Sequence, residues 1–95
     1  MSMDIPALEL EGVKTRLQEF AGWHLEEGEL CRTFSFPTYA DGVAFAVKVA
    51  LFSEKVGHHP TLVLAYRRVT LKVSSHDAGG ITERDFEFVN RVSSL

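Results

Sequence analysis

Three of the four histidines in this 95-residue chain, His58, His59 and His76, fall within nineteen positions, while His24 stands apart beside Trp23. Imidazole titrates near neutrality, gives or takes a proton and also ligates metals, so the cluster admits acid/base chemistry, metal binding or neither. Taken alone, His58-His59 reads more readily as two solvated loop residues, and His24 as a surface or half-buried strand residue. A zinc site is poorly supported, because adjacent side chains diverge, no His-Glu-x-x-His pair sits on a helix, and Cys31 belongs to a distant strand; no metal is expected. Nothing marks Cys31 or any serine as an activated nucleophile. General acid/base work remains, with Glu54 and Asp85 as carboxylates able to orient the rings and hold a tautomer. Asp85 by itself is more simply explained as the helix-capping partner of Thr82.

Both clustered sites sit at the ends of elements, where a rigid scaffold can hold a working loop. From Pro6 to Phe20 the apolar residues Leu10, Val13, Leu17 and Phe20 recur at helical steps, which predicts an amphipathic helix with Asp4 as N-cap, Pro6 in the first turn and Gly22 at the end. Residues 23–36 predict two strands around a Glu27-Gly28-Glu29 turn, with Leu30, Arg32, Phe34 and Phe36 on one face and Cys31, Thr33 and Ser35 on the other. Thr38 to Val56 predicts a second helix, apolar most of the way round from Val43 to Phe52 and closed by Gly57. A helix greasy on more than one face is expected to meet another subunit. Strands follow near Leu62 to Tyr66 and Val69 to Ser75, then a loop over 76–80 with two adjacent glycines. Thr82-Glu-Arg-Asp85 has capping-box spacing and opens a last helix whose stripe is Phe86, Val89 and Val92. The order α-β-β-α-β-β-α predicts an α+β fold, a four-stranded antiparallel sheet with helices on one face.

Ten Lys and Arg against 13 Asp and Glu give a net charge of −3, and Arg67-Arg68 is the only adjacent basic pair, so direct nucleic-acid binding is not expected. A lone cysteine closes no intrachain disulfide, and the start of the chain has neither the basic nor the apolar segment of a secretory signal. The longest apolar stretch, Val43 to Phe52, is too short to span a bilayer and contains Lys48. A cytoplasmic protein without a membrane partner is the expectation. At this length 1–95 is read as a single domain, which hides only about 60% of its unfolded surface. With 45% apolar residues, some of that content is free to cover a subunit interface.

Taken together, Glu54-x3-His58-His59-Pro60-x5-Tyr66-x9-His76-x8-Asp85 resembles the signature of the pterin-4a-carbinolamine dehydratases, element by element and gap by gap. The likeness extends upstream through Gly22-Trp23 and Arg32-x-Phe34-x-Phe36, and downstream through His76-Asp77-Ala78-Gly79-Gly80-Ile81-Thr82-Glu83-x-Asp85-Phe86. It departs at Leu62 and Leu64, where many members carry tryptophan and asparagine, and at Gly57, a place often acidic.

The resemblance implies the same fold, assembled as a homodimer or homotetramer. It implies a dehydratase that removes water from a 4a-hydroxytetrahydropterin to give the quinonoid dihydropterin, in tetrahydrobiopterin recycling beside an aromatic amino acid hydroxylase. The catalytic set would be His58, His59 and His76, with His58 and His76 moving protons and His59 binding and orienting the ring. Gly57, His58 and His59 on one loop and Ser74, Ser75, His76 and Asp77 at the strand end would hold the pterin, with Glu54 and Asp85 as supporting carboxylates. No cofactor is implied, because the pterin is the substrate and its own nitrogens supply the push. The alternative is a protein-binding or dimerisation module, of the kind in which some relatives stabilise dimeric transcription factors.

Overall fold

The computed structural model describes residues 6–95. The expected N-cap Asp4 lies outside them. In chain order the elements are α1 (Leu10–Leu17), β1 (His24–Glu26), β2 (Glu29–Ser35), α2 (Tyr39–Val56), β3 (Thr61–Ala65), β4 (Arg68–Val73) and α3 (Glu83–Val92). The α+β order and the antiparallel sheet are as the sequence predicts, with strands arranged β1-β2-β4-β3.

Each hairpin is closed by two residues. Glu26 pairs with Glu29 across Glu27-Gly28, both at positive φ (50° and 80°), which matches the twist of the flanking strands. Ala65 pairs with Arg68 across Tyr66-Arg67. Arg67 takes φ 61° without being glycine, held there as its carbonyl accepts from Phe36 N–H at 2.9 Å.

Alternation along the strands sorts the sheet into two faces. Leu30, Val69, Leu71 and Val73 are buried toward the helices, where Leu30, Leu71 and Val73 join Val49 and Phe52 of α2, Phe86, Val89 and Val92 of α3, and Val13 of α1 in one core. On the opposite face the hydroxyls of Thr33 and Thr70 bond to each other at 2.8 Å.

The first helix is shorter than its periodicity predicts. Residues 6–9 precede it: Glu9 is extended (φ −70°, ψ 152°) with no side-chain cap, and Leu8 N–H reaches Ile81 O at 2.7 Å, so tertiary docking holds this stretch out of the helix. Pro6 is therefore outside the first turn. At the other end Glu19 N–H bonds Arg16 O and Phe20 N–H bonds Leu17 O, each three residues back, the tightening usual where a helix runs out. The loop expected over 76–80 contains one 3-10 turn, His76–Ala78.

Candidate active site

Local geometry aims His58. Gly57 ends α2 at φ 69°, a left-handed conformation that glycine adopts without a Cβ penalty. Its N–H and that of His58 both close on Ser53 O, at 2.9 and 3.2 Å. The chain thus folds back over the end of α2 and carries the imidazole to α3. There Nε2 lies 2.6 Å from Asp85 Oδ1, and the ring stands edge-on to Phe88, with centroids 5.7 Å apart.

Asp85 is fully buried, and its two oxygens divide the work. Oδ2 accepts from the backbone N–H of Thr82 at 2.8 Å, completing the capping box of α3. It also accepts from Ser75 Oγ at 2.8 Å. Oδ1 is left for His58. Capping and histidine support, which compete as explanations in the sequence, are one arrangement in space.

With Asp85 as a carboxylate, the network has one self-consistent set of donors. Arg84 N–H donates to Thr82 Oγ1 at 3.2 Å. Since Ser75 spends its only hydroxyl proton on Asp85, the 2.8 Å contact between Ser75 and Thr82 is donated by Thr82. An ionised carboxylate only accepts, so Nε2 of His58 carries the proton and Nδ1 is left as the acceptor of the neutral ring.

His59 lies on the outside of the same loop and pairs with Glu54 in the last turn of α2. Both side chains are exposed. His76 opens the 3-10 turn beyond β4, exposed, with no hydrogen-bond partner for its ring among the described residues. It lines a recess of about 500 Å³ with Ser74, Gly79, Gly80, Thr61 and the β1–β2 turn. His58 lines a separate cleft of about 120 Å³ between α2 and α3, with Gly57, Phe52, Phe88, Arg84 and Arg91.

The two proton-transfer candidates therefore face different hollows. Ser75, one residue before His76 and bonded to Asp85, is the covalent and hydrogen-bonded link between them. Its N–H and C=O are both taken by Gly80, and its hydroxyl by the network, so at this strand end Ser74 and His76 are the residues that line the recess. Asp77 turns away to Arg84 Nη2 at 2.7 Å; the guanidinium holds its carboxyl below the usual carboxylate range. Burial pushes the Cys31 thiol up, which disfavours its nucleophilic form.

The family resemblance names Ser75 and Thr82 but not these roles, Ser75 acting through its hydroxyl on Asp85 and Thr82 through a second bond beyond its cap. Arg84, which reaches Asp77, is the residue it misses. The capping box places Arg84 in the first turn of α3, but no sequence signal ties it to position 77. Among the described residues no group of three or more His, Cys, Asp or Glu side chains is arranged to hold a metal.

A model of the pterin 4 alpha carbinolamine dehydratase family matches residues 6–95. The chain belongs to that family. Relatives provisionally named pterin-4-alpha-carbinolamine dehydratases, from Roseiflexus sp. strain RS-1 and Sulfolobus acidocaldarius, are 36% and 37% identical to it over 83 residues, 87% of this chain and 89% and 91% of theirs. A transcriptional coactivator/pterin dehydratase from Brucella melitensis has a crystal structure similar at TM-score 0.85 and 27% identity, over 93% of this chain and 96% of that one. A pterin dehydratase-like protein identified as a RuBisCO assembly factor is similar at TM-score 0.61 and 26% identity, over 76% of this chain and 83% of that one. Of the dehydratase signature's remaining positions, Tyr66 sits exposed at the β3–β4 hairpin and lines neither hollow. Leu62, where many family members carry tryptophan, is half-buried against the core.

Proposed function

We propose that this protein dehydrates a 4a-hydroxytetrahydropterin by histidine acid/base catalysis. The observation that carries the reading is the bond from His58 to buried Asp85, which fixes a ring tautomer with Nδ1 as the proton acceptor. In the reaction N5–H releases its proton to a base, its electron pair forms the C4a=N5 double bond, and the C4a–O bond breaks as the hydroxyl takes a proton and leaves as water. His58 suits the base, because Asp85 stabilises the imidazolium that forms. His76 suits the acid, because an exposed ring reloads its proton from solvent. The pterin then lies across the rim between the two hollows, where Thr61 of the recess follows His59 and Pro60 directly in the chain. His59, steadied by Glu54, meets the ring from the loop side. Gly57 and Asp77 shape that loop and the strand end, with Ser74 facing the substrate and Ser75 holding Asp85.

The reading needs no cofactor, since electrons move only within the substrate. It fits a cytoplasmic enzyme of tetrahydropterin recycling that takes the product of an aromatic amino acid hydroxylase. The test is the dehydration rate of a 4a-hydroxytetrahydropterin against the spontaneous rate in the same buffer. Acceleration is expected, reduced about 100-fold in His76→Ala, the usual share of one acid/base group. A rate equal to buffer would sink the proposal.

A second reading has its own support. The outward stripe of α2, Ala40, Ala44, Val47 and Leu51, is exposed, and the two structural neighbours are described as a coactivator/dehydratase and an assembly factor. A protein-binding role through this helix would survive loss of His58 and His76; retention of one protein partner by the double histidine variant would favour it.

A further inference from the structure

Of the three site histidines, His76 alone has no hydrogen bond to its ring among the described residues, so the backbone of the turn His76–Ala78 sets its place. That turn is shaped from within. Ser75 and Gly80 exchange backbone bonds of 2.9 and 3.3 Å at its base, Ala78 N–H reaches Ser75 O at 3.0 Å, and Gly79 N–H reaches His76 O at 3.1 Å. All four bonds stay inside residues 75–80 and leave the tip unanchored to other elements. The side-chain tie from tip to scaffold, among the described residues, is Asp77 Oδ1 accepting from Arg84 Nη2 at 2.7 Å.

Arg84 is a stiff post for such a tie. Its backbone N–H is held by Thr82 Oγ1 at 3.2 Å, inside the capping box that also holds Asp85. Its Nε is buried without a partner among the described residues, so among them the bond to Asp77 is the one that orients the guanidinium.

We propose that Arg84 is a positioning residue for His76, tying the turn that carries it to the same first turn of α3 that carries Asp85 and, through Asp85, His58. Both imidazoles are then referenced to one rigid frame. The kinetic half of this inference rests on the dehydratase reading; the structural half does not. Proton transfer falls off steeply with misplacement of the donor, whereas an exposed ion pair adds little to global stability. Loss of the tie therefore disturbs the reaction more than the fold.

The test compares Asp77→Ala, Arg84→Met, the double variant and Arg84→Lys. Dehydration kinetics are measured together with the heteronuclear NOE of the backbone amides at residues 76–78. Each of the first two changes is expected to lower kcat about 3- to 10-fold with KM nearly constant. The double variant should be no worse than the worse single, as for two halves of one contact, and Arg84→Lys should recover most of the loss. The turn amides should loosen in the first three variants and stay rigid elsewhere. Turn amides as rigid in those variants as in the wild type overturn the proposal, and so do losses that add in the double variant. A rise in KM with kcat intact also overturns it, since Asp77 would then be meeting the substrate itself. Wild-type protein no faster than buffer, with the turn still loosening in the variants, removes the dehydratase reading and leaves the tie standing.

Discussion

Burying a carboxylate costs several kcal/mol unless its oxygens are met by donors, and Asp85 meets that demand with Thr82 N–H, Ser75 Oγ and His58 Nε2. Replacing it by asparagine keeps the shape and changes one acceptor into a donor. The amide oxygen would keep the cap, because Thr82 N–H has nowhere else to go, and the NH2 would turn to His58. Two donors cannot face each other, so the imidazole proton must move to Nδ1, the nitrogen the reaction needs as a base. Asp85→Asn is thus expected to cut the dehydration rate by about 100-fold or more while costing about 1–3 kcal/mol of stability in urea. Nitrogen-15 chemical shifts of the His58 ring would report the tautomer directly, and an unchanged tautomer would refute the donor assignment. The spacing of His58, His76 and Asp85 makes the candidates legible in the sequence, because motif gaps survive folding. That the two histidines face separate hollows, bridged by Ser75, was not legible, since it depends on how β4 and α3 lie together rather than on any gap along the chain.

Elements whose ends carry their own chemistry are the ones the sequence places well. Thr38 caps α2 by accepting Asp41 N–H at 3.0 Å, Gly57 closes it, and Thr82 with Asp85 opens α3; each boundary is written in one or two side chains. The first helix has end signals in Pro6 and Gly22 that lie beyond its actual ends, which are decided by the docking of Leu8 on Ile81 and by tightening before Phe20. Its periodicity marks which face is buried but not where the helix stops. Gly57 is where an element boundary and the site coincide. A Cβ there would meet no atom within 4 Å, so an alanine is opposed by its φ of 69° and not by crowding. Gly57→Ala is expected to cost about 1–2 kcal/mol, the penalty for a side chain in the left-handed region, read as a lowered urea midpoint with an unchanged slope. If the helix end relaxes to avoid that strain, His58 leaves Asp85 and the rate falls more than the stability loss explains. An alanine variant as stable as the parent would show that the left-handed cap is not needed.

The described residues span 43 × 29 × 21 Å, and the shortest dimension is what one sheet and one layer of helices fill at about 10 Å each. Among the described residues nothing lies beyond the helix layer, and none of them covers the outer side of α2. That is where Val47 and Leu51 stand 52% and 67% exposed, on a helix whose inner side already supplies Val49 and Phe52 to the core. Apolar residues on two sides of one helix were legible in the sequence as a demand for two burials, and the fold satisfies one of them. Fully burying a side chain of this size is worth about 1.5–3 kcal/mol, so a symmetric contact that repeats Val47 and Leu51 on both partners would offset part of the cost of association, on the order of 4–15 kcal/mol, in the homodimer or homotetramer that the family resemblance implies. Val47→Glu with Leu51→Glu would set like charges against each other in such a contact while leaving Val49, Phe52 and the site untouched. Sedimentation velocity should show the wild type as a dimer or tetramer and the double variant as a folded monomer. A wild-type monomer across the micromolar range would remove the homo-oligomer reading and leave the stripe open to a different protein, as the binding-module reading requires.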